Sequence, residues 1–541
     1  MDRARFERCL AVRADRRRTL LAGAGVFTAV SLAGRPTRSV LAQATPAASP
    51  AAFGAMPFTL GVAYGDPLPD GVVLWTRLAP DPLVGHGGME GRGPLEVGWE
   101  VAADDGFGEI VQRGVAVAAP DLAHSVHVDV QGLEPGREYF YRVVSGGEVS
   151  PVGRTKTAPP AGAPLDRLRF AFSSCQDWLT GHYTAYRHMA EEELDFVLFL
   201  GDYIYEDAYG PGDDGSWATP GREHTAPEIR TVDDYRVRHA LHKSDPLLQA
   251  AHAAFPWVAT WDDHEVDNDY AGERGEGGEP VDPFLGRRAA GYQAFYEHLP
   301  LRPESMPFGP SMRLYRRLAF GDLVSVSVLD SRQYRTDHPC GAGEQVPCPA
   351  AMDPNSTMLG PEQERWLLAG LDASQARWNV VAQQVLMAEL DHAEGDAEIV
   401  WTDAWDGYPA ARNRVLGHVM SRNIANPVVL TGDWHSTFVN DLKADFADPD
   451  SPTIATEFVV TAVTTGGDDN GYDDYYGPMV PNNPHIKFFD GDGRGYMAVE
   501  VTPERWRTDV RMVESVLDPA AGIRTAASFV VEDGRPGAVQ G

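Results

Sequence analysis

The sequence predicts two folded parts, an all-β domain followed by a layered α/β or α+β domain. Three observations carry that prediction. Short alternating strands fill residues 56–158, fully apolar strands separated by helix-like segments begin at Leu168, and "GRTKTAPPAGAP" marks a boundary between them. At 541 residues the chain is too long for one core, and 43% hydrophobic with 10% aromatic residues suits packed globular structure.

The first 44 residues read as an export signal rather than as fold. A basic stretch, "RADRRRTLLAG", precedes an uncharged run from Leu20 to Gly34, and "AQA" (Ala42–Ala44) is a cleavage pattern. Arg17, Arg18, Thr19, Leu20 and Leu21 fit a twin-arginine signal, with Arg16 where Ser or Thr is more usual. An N-terminal membrane anchor is the competing reading, but the apolar run is short for a spanning helix. The twin-arginine translocase is therefore the expected export partner, and the periplasm, cell envelope or medium the expected destination. That route carries folded proteins, often with cofactors already loaded, which is a first hint of a metal.

An Ala/Pro linker over residues 45–55 leads into the β domain. Its strands are "GVVLWTRL", "LEVGWEVA", "SVHVDVQGL" and "REYFYRVVSG", separated by Gly, Pro and Asp turns. "GLEPGREYFYRV" resembles the tyrosine-bearing turn of immunoglobulin and fibronectin type III sandwiches. Over residues 165–530 the strands become "RLRFAFSSC", "DFVLFLGD", "AFPWVATWDD", "LVSVSVLDS", "WNVVAQQVLM" and "NPVVLTGDWH", with helical segments such as "TAYRHMAEEEL" and "GPEQERWLLAGLDA" between them. Apolar on both faces, they read as buried strands of a layered sheet.

Charge limits the function. With 46 basic against 78 acidic residues the net charge is −32, which argues against nucleic acid or an anionic membrane as main partner. Of the four cysteines, Cys9 lies in the signal, Cys340 and Cys348 bracket a Gly/Pro loop and are expected to form a disulfide, and Cys175 is left unpaired.

The chemistry concentrates at strand ends. "TWDDHEVDNDY" carries five carboxylates from Asp262 to Asp269 with no Lys or Arg among them. So much like charge is costly unless it is solvated or neutralised by a cation. "FLGDYIYED" places Asp202 after a strand and a glycine, with Tyr205 three residues on. "LTGDWHSTF" gives Asp433 and His435, and "FSSCQDW" gives Cys175. Alone each is weak: a Gly-Asp turn is commonplace, a charge run is usually a solvated face, and a lone cysteine is usually a small buried side chain. Together they predict a metal site at the carboxyl ends of strands. Thiolate, phenolate and carboxylate suit Fe³⁺, whereas surplus Asp and Asn oxygens suit Ca²⁺ or another hard divalent ion.

In chain order, "SSCQ", "LGDYIYE", "WDDHEVDND", "LDSRQYR", "WDGYPAAR" and "LTGDWHSTFVNDL" resemble the PhoD-type alkaline phosphatases and phosphodiesterases. The resemblance spans nearly the whole chain after the signal. It implies a four-layer αββα metallophosphoesterase core similar to that of purple acid phosphatases. It further implies Fe³⁺ held by Cys175, Asp202, Tyr205 and Asp263, and Ca²⁺ among Asp202, Asp262, Asp263, Asp433 and His435, with Asn268 a further candidate. His264, beside a ligand, is placed to protonate a leaving oxygen, and Arg332 either grips a phosphate oxygen or pairs structurally with Asp330 or Asp337. The acidic, Gly-rich loops 206–225 and 271–283 are expected at the entrance. The expected activity is hydrolysis of phosphate mono- or diesters. A calcium-binding adhesion or carbohydrate-binding protein is the alternative, which explains the acids but not Cys175 with Tyr205. A dinuclear metallopeptidase or lactonase would want more histidine ligands.

Overall fold

The computed structural model describes residues 53–207, 219–224, 228–393, 398–468 and 470–541. The expected signal and nearly all of the linker lie outside them, as does much of the 206–225 loop. Among the described residues no helix is long and apolar enough to cross a membrane.

Two large mixed sheets dominate. The ten strands of the first run in the order Arg535–Gln540, Ile523–Glu532, Arg505–Val513, Gly495–Val501, Leu168–Ser173, Phe196–Leu200, Trp257–Thr260, Val62–Leu68, Gly71–Arg77, Ser125–Gln131. The seven of the second run Arg316–Phe320, Val324–Val328, Trp378–Gln383, Pro427–Thr431, Thr453–Val459, Thr437–Lys443, Ile486–Asp490. Strands Leu168–Ser173, Phe196–Leu200 and Trp257–Thr260 pair in parallel, as do Val324–Val328, Trp378–Gln383, Pro427–Thr431 and Thr453–Val459.

The apolar strands are buried on both faces because side chains alternate. Phe170, Phe172, Phe196 and Leu198 pack with Val326, Val328, Val380 and Leu430 in one core between the sheets. The residues between them on the same strands face helices instead. Ala171, Val197 and Phe199 pack with Tyr186 and Met189 of helix Thr184–Ala190 and with Tyr292 and Phe295 of helix Val281–His298. On the second sheet Val381 and Val429 pack with Leu367 of helix Gly360–Ala373 and Val415 of helix Pro409–Ser421.

The N-terminal β region shares a sheet with the rest of the fold. Strands Ile110–Ala118, Leu95–Ala102, Glu138–Ser145, Glu148–Val149 and Gly153–Lys156 make their own sheet. It faces Val62–Leu68, Gly71–Arg77 and Ser125–Gln131 across a core of Val72, Leu74, Val97, Val101 and Tyr141. Those three facing strands, however, extend the large sheet through a parallel pairing of Gly65 with Trp257. Residues 52–541 are accordingly one compact unit, with no cut at 158–165. Tyr139 is buried, and its hydroxyl oxygen accepts the Glu134 N–H at 2.9 Å, which fixes the turn before its strand.

Candidate metal centre

Parallel strands bring their carboxyl ends to one edge, and the candidate residues sit just past those ends. Cys175 follows Leu168–Ser173, Asp202 follows Phe196–Leu200, Asp262 and Asp263 follow Trp257–Thr260, and Asp433 follows Pro427–Thr431 of the second sheet. The chain turns sharply at these points. Cys175, Asp202, Asp433 and His435 all have left-handed backbone, with φ of 60°, 59°, 61° and 56°. Such conformations cost non-glycine residues about 1–3 kcal/mol each and cluster where function demands them. Gly201 permits a close approach: at φ +106°, a Cβ there would lie 2.4 Å from Asp262 Cβ. The turns are latched by Glu265, which is fully buried and accepts N–H groups from Asp202 (3.1 Å), Tyr203 (2.7 Å) and Asp262 (2.8 Å).

The side chains then converge into overlapping sets whose ligand atoms lie within 4.8 Å of one another. Cys175, Asp202 and His435 form one; Asp202, Asp262, Asp263 and Asp433 form another; Asp202, Asp263 and His264 a third. Asp202 belongs to all three. The Tyr205 hydroxyl joins the Cys175 side, donating to Asp202 Oδ2 at 3.1 Å and lying 3.3 Å from His435 Nε2. In these sets His435 stands with Cys175, and Asp263 stands with Asp262 and Asp433. Asp263 is drawn that way by the Asp269 N–H at 2.7 Å and by Arg332 at 3.4 Å.

Cations fit this donor set. Asp202 Oδ1, Asp262 Oδ2 and Asp263 Oδ1 are buried with no hydrogen-bond partner, an arrangement that native proteins avoid unless something else satisfies the oxygen. Burial together with the neighbouring carboxylates pushes Asp202 and Asp433 well above the carboxylate range, and Asp262 up to about 6. Burial, with Arg494 and His264 nearby, lowers His435 to about 3, so its imidazole is neutral and able to ligate. Burial and Asp202 raise the Cys175 thiol. A thiol, a phenol, a neutral imidazole and carboxylates around one shared aspartate are ligands for metal ions.

Arg332 is fully buried among the acids. Its Nε donates to Asp262, its Nη1 to Asp403 at 2.5 Å, and its Nη2 to Asp433 at 3.3 Å. Neither of the acidic partners expected from the sequence takes the guanidinium; of Arg332, Asp330 receives the backbone N–H alone. His264 is 8% exposed, and its Nδ1 lies 2.7 Å from Glu206 Oε2. Burial works against its charge, but Glu206, Asp263 and Asp202 outweigh it and hold the imidazole protonated well above its usual range. The Asn268 amide points elsewhere, donating to the exposed side of Glu276 at 2.8 Å.

Several residues that build the site have no local signature. Glu206 orients His264 and also accepts the Asn268 N–H at 2.6 Å. Asp403 joins Arg332 to Arg335 and His338. Asp269 forms a further acidic set with Asp263 and Asp403. Asp269 lies in the acidic run and Glu206 ends the "LGDYIYE" stretch, but neither stretch shows which side chain each would meet; Asp403 lies in no conspicuous stretch.

Likeness to known proteins agrees with this geometry. The chain matches the PhoD-like phosphatase family over residues 170–510 and the N-terminal domain of PhoD-like phosphatases over residues 42–159. It is 50% identical over 523 residues to alkaline phosphatase D of Bacillus subtilis (strain 168), covering 96% of this chain and 88% of that protein. A solved structure of PhoD superposes with a TM-score of 0.86 at 50% identity, covering 90% of this chain and 92% of the other. With matches that span both parts of the chain, this protein belongs to the PhoD-like phosphatase family.

Proposed function

We propose that the chain is an exported, metal-dependent alkaline phosphatase that hydrolyses phosphate monoesters and diesters. One observation carries the reading: the carboxylates of Asp202, Asp262, Asp263 and Asp433 converge within ligand distance of one another, and the first three each keep a buried oxygen that accepts no hydrogen bond. Only cations make such a cluster tolerable in a protein of net charge −32. Family membership speaks for a phosphatase and against an adhesion protein.

Fe³⁺ would be held by Cys175, Asp202 and Tyr205, with His435 at the same side. Ca²⁺ would be held by Asp202, Asp262, Asp263 and Asp433. When bound, such ions neutralise phosphoryl charge and make water nucleophilic near neutral pH. The packing of two sheets between helices supports a four-layer αββα core, and the facing N-terminal sheets support a sandwich of immunoglobulin or fibronectin type over residues 56–158, fused to the catalytic region at one edge.

The chain's own groups do the rest. Glu206 fixes the Nδ1 side of His264, leaving Nε2 to deliver a proton to the leaving-group oxygen. Arg332 is anchored by its short contacts to Asp262 and Asp403, while Nη2 is shared loosely between Asp433 and Asp263 at 3.3 and 3.4 Å. That loose nitrogen is the one a phosphoryl oxygen competes for. Export by the twin-arginine route rests on residues 16–21 and on the Ala42–Ala44 pattern.

Purified protein should hydrolyse p-nitrophenyl phosphate and its bis ester, and lose both activities after exhaustive chelation. A metal-replete preparation that hydrolyses neither would refute the reading.

A further inference from the structure

We infer that Asp403 is a positioning residue for Arg332, and that the loop closed by Cys340–Cys348 holds Asp403 in place. The inference rests on Arg332 as a partner of the phosphoryl group, and deepens that reading by tracing its support to a surface loop.

Asp403 is buried, and both of its carboxylate oxygens are engaged. Its Oδ2 accepts from Arg332 Nη1 at 2.5 Å, and its Oδ1 accepts from Arg335 Nη2 and lies 3.0 Å from His338 Nε2. Burial would raise this carboxyl, yet Arg332 and Arg335 hold it well below the usual range. Arg335 ties the same point to the acidic run, donating to the carbonyls of Asp269 (3.1 Å) and Tyr270 (2.9 Å). A planar guanidinium needs a fixed carboxylate to set its plane, and Asp403 is the one that Arg332 meets outside the overlapping ligand sets built around Asp202.

The backbone carrying Asp403 is not part of either large sheet. Val400–Trp401 pairs only with Glu344–Gln345, in a two-stranded sheet of its own. Thr402 then hooks the same loop twice, its hydroxyl donating to Gly341 O at 2.6 Å and its N–H to Gly343 O at 3.0 Å. Residues 341, 343, 344 and 345 all lie within the disulfide Cys340–Cys348, and His338 precedes it by two positions. This loop is otherwise solvent-facing; Val346 is 70% exposed. Val400 is buried but Glu344 across from it is exposed, and a ladder of two paired residues does not define a backbone by itself. The crosslink therefore limits how far the loop, and with it Thr402 and Asp403, can drift. Displacement of Asp403 swings Nη1 of Arg332 while Cys175, Asp202 and Tyr205 keep their own supports.

The test measures inorganic phosphate affinity by calorimetry on metal-loaded enzyme, with metal content by elemental analysis and kcat and KM on p-nitrophenyl phosphate. Asp403→Asn should weaken phosphate binding about tenfold, the size of one lost charge-assisted hydrogen bond, with metal retained. The Cys340→Ser/Cys348→Ser pair should weaken it by a smaller factor, about threefold, through the same contact. Asp403→Glu should recover part of the loss. In an Arg332→Ala background, Asp403→Asn and the cysteine pair should add nothing further. If Arg332→Ala leaves phosphate affinity unchanged, the assignment of Arg332 fails. If Arg332→Ala weakens binding and the other variants still multiply that loss, or change nothing in the wild-type background, the positioning role fails. An Asp403→Asn protein that does not fold leaves the cysteine pair and His338→Gln to decide between these outcomes.

Discussion

Replacing His264 with alanine separates the two roles that its position permits. His264 stands within ligand distance of Asp202 and Asp263, with Nδ1 engaged by Glu206 at 2.7 Å. If the ring serves the leaving group, His264→Ala should retain iron and calcium while kcat falls about 10²–10⁴-fold, the usual size of a lost general acid. Glu206→Gln keeps the ring but removes the charge that orients it and holds it protonated. Its loss should be smaller, about 10- to 100-fold, from one charge-assisted hydrogen bond worth about 1.5–3 kcal/mol. Both losses should be mild on p-nitrophenyl phosphate, whose leaving group needs little protonation, and severe on an alkyl phosphate. Asp263→Asn is the control, because Asp263 Oδ1 is one of the buried oxygens without a hydrogen-bond partner; it should lose metal and both activities together. Elemental analysis with kcat on the two substrates decides the matter. Metal loss in His264→Ala, with equal damage to both substrates, makes His264 a ligand, and full alkyl phosphatase activity removes it from the mechanism.

The iron-loaded protein should be coloured, because Tyr205 and Cys175 would give charge-transfer absorption; Tyr205→Phe should shift or bleach the visible band, and a colourless, fully active, iron-free protein would contradict the assignment. EGTA should abolish activity while leaving that band largely intact, and added Ca²⁺ should restore turnover; activity that survives calcium removal assigns the second site to another ion. Gly201→Ala forces a Cβ to 2.4 Å from Asp262 Cβ in left-handed backbone, so chemical denaturation should report a loss of about 2–5 kcal/mol, and a neutral result would show that the turn can relax.

The two-part order and the apolar strands were legible because each is written locally. Val, Phe and Leu runs bounded by Gly and Asp give strands whatever surrounds them, and "GRTKTAPPAGAP" breaks any regular element. The fusion of the N-terminal strands with the large sheet was not legible. It depends on Gly65 pairing with Trp257, a contact between segments some 190 residues apart that leaves no mark in either. The disulfide follows from short spacing across a turn and is present, with Cys175 free and buried.

At the site, legibility followed the same division between local and distant causes. Cys175, Asp202, Asp262, Asp263 and Asp433 could be found because each breaks the apolar pattern of its own strand at its end. Asp403 could not, since a single charged residue in a loop looks the same whether it faces water or a buried guanidinium, and Glu206 and Arg335, although inside "LGDYIYE" and "LDSRQYR", carry no mark of the partners they meet. Arg332 shows the consequence. From "LDSRQYR" its natural partner is the nearby Asp330, yet the guanidinium reaches Asp262, Asp403 and Asp433, which lie 70, 71 and 101 residues away. The choice follows from charge: four converging carboxylates need a cation more than Asp330 does, because Asp330 already accepts N–H groups from Arg332 and Gln333 and the Gln333 side chain. The same excess appears in the backbone. Left-handed turns at Cys175, Asp202, Asp433 and His435, partnerless oxygens on Asp202, Asp262 and Asp263, and a buried arginine each violate a local rule, and all occur at one edge of the two sheets. Packing alone would remove every one of them. Their coincidence is what a site built around bound cations requires.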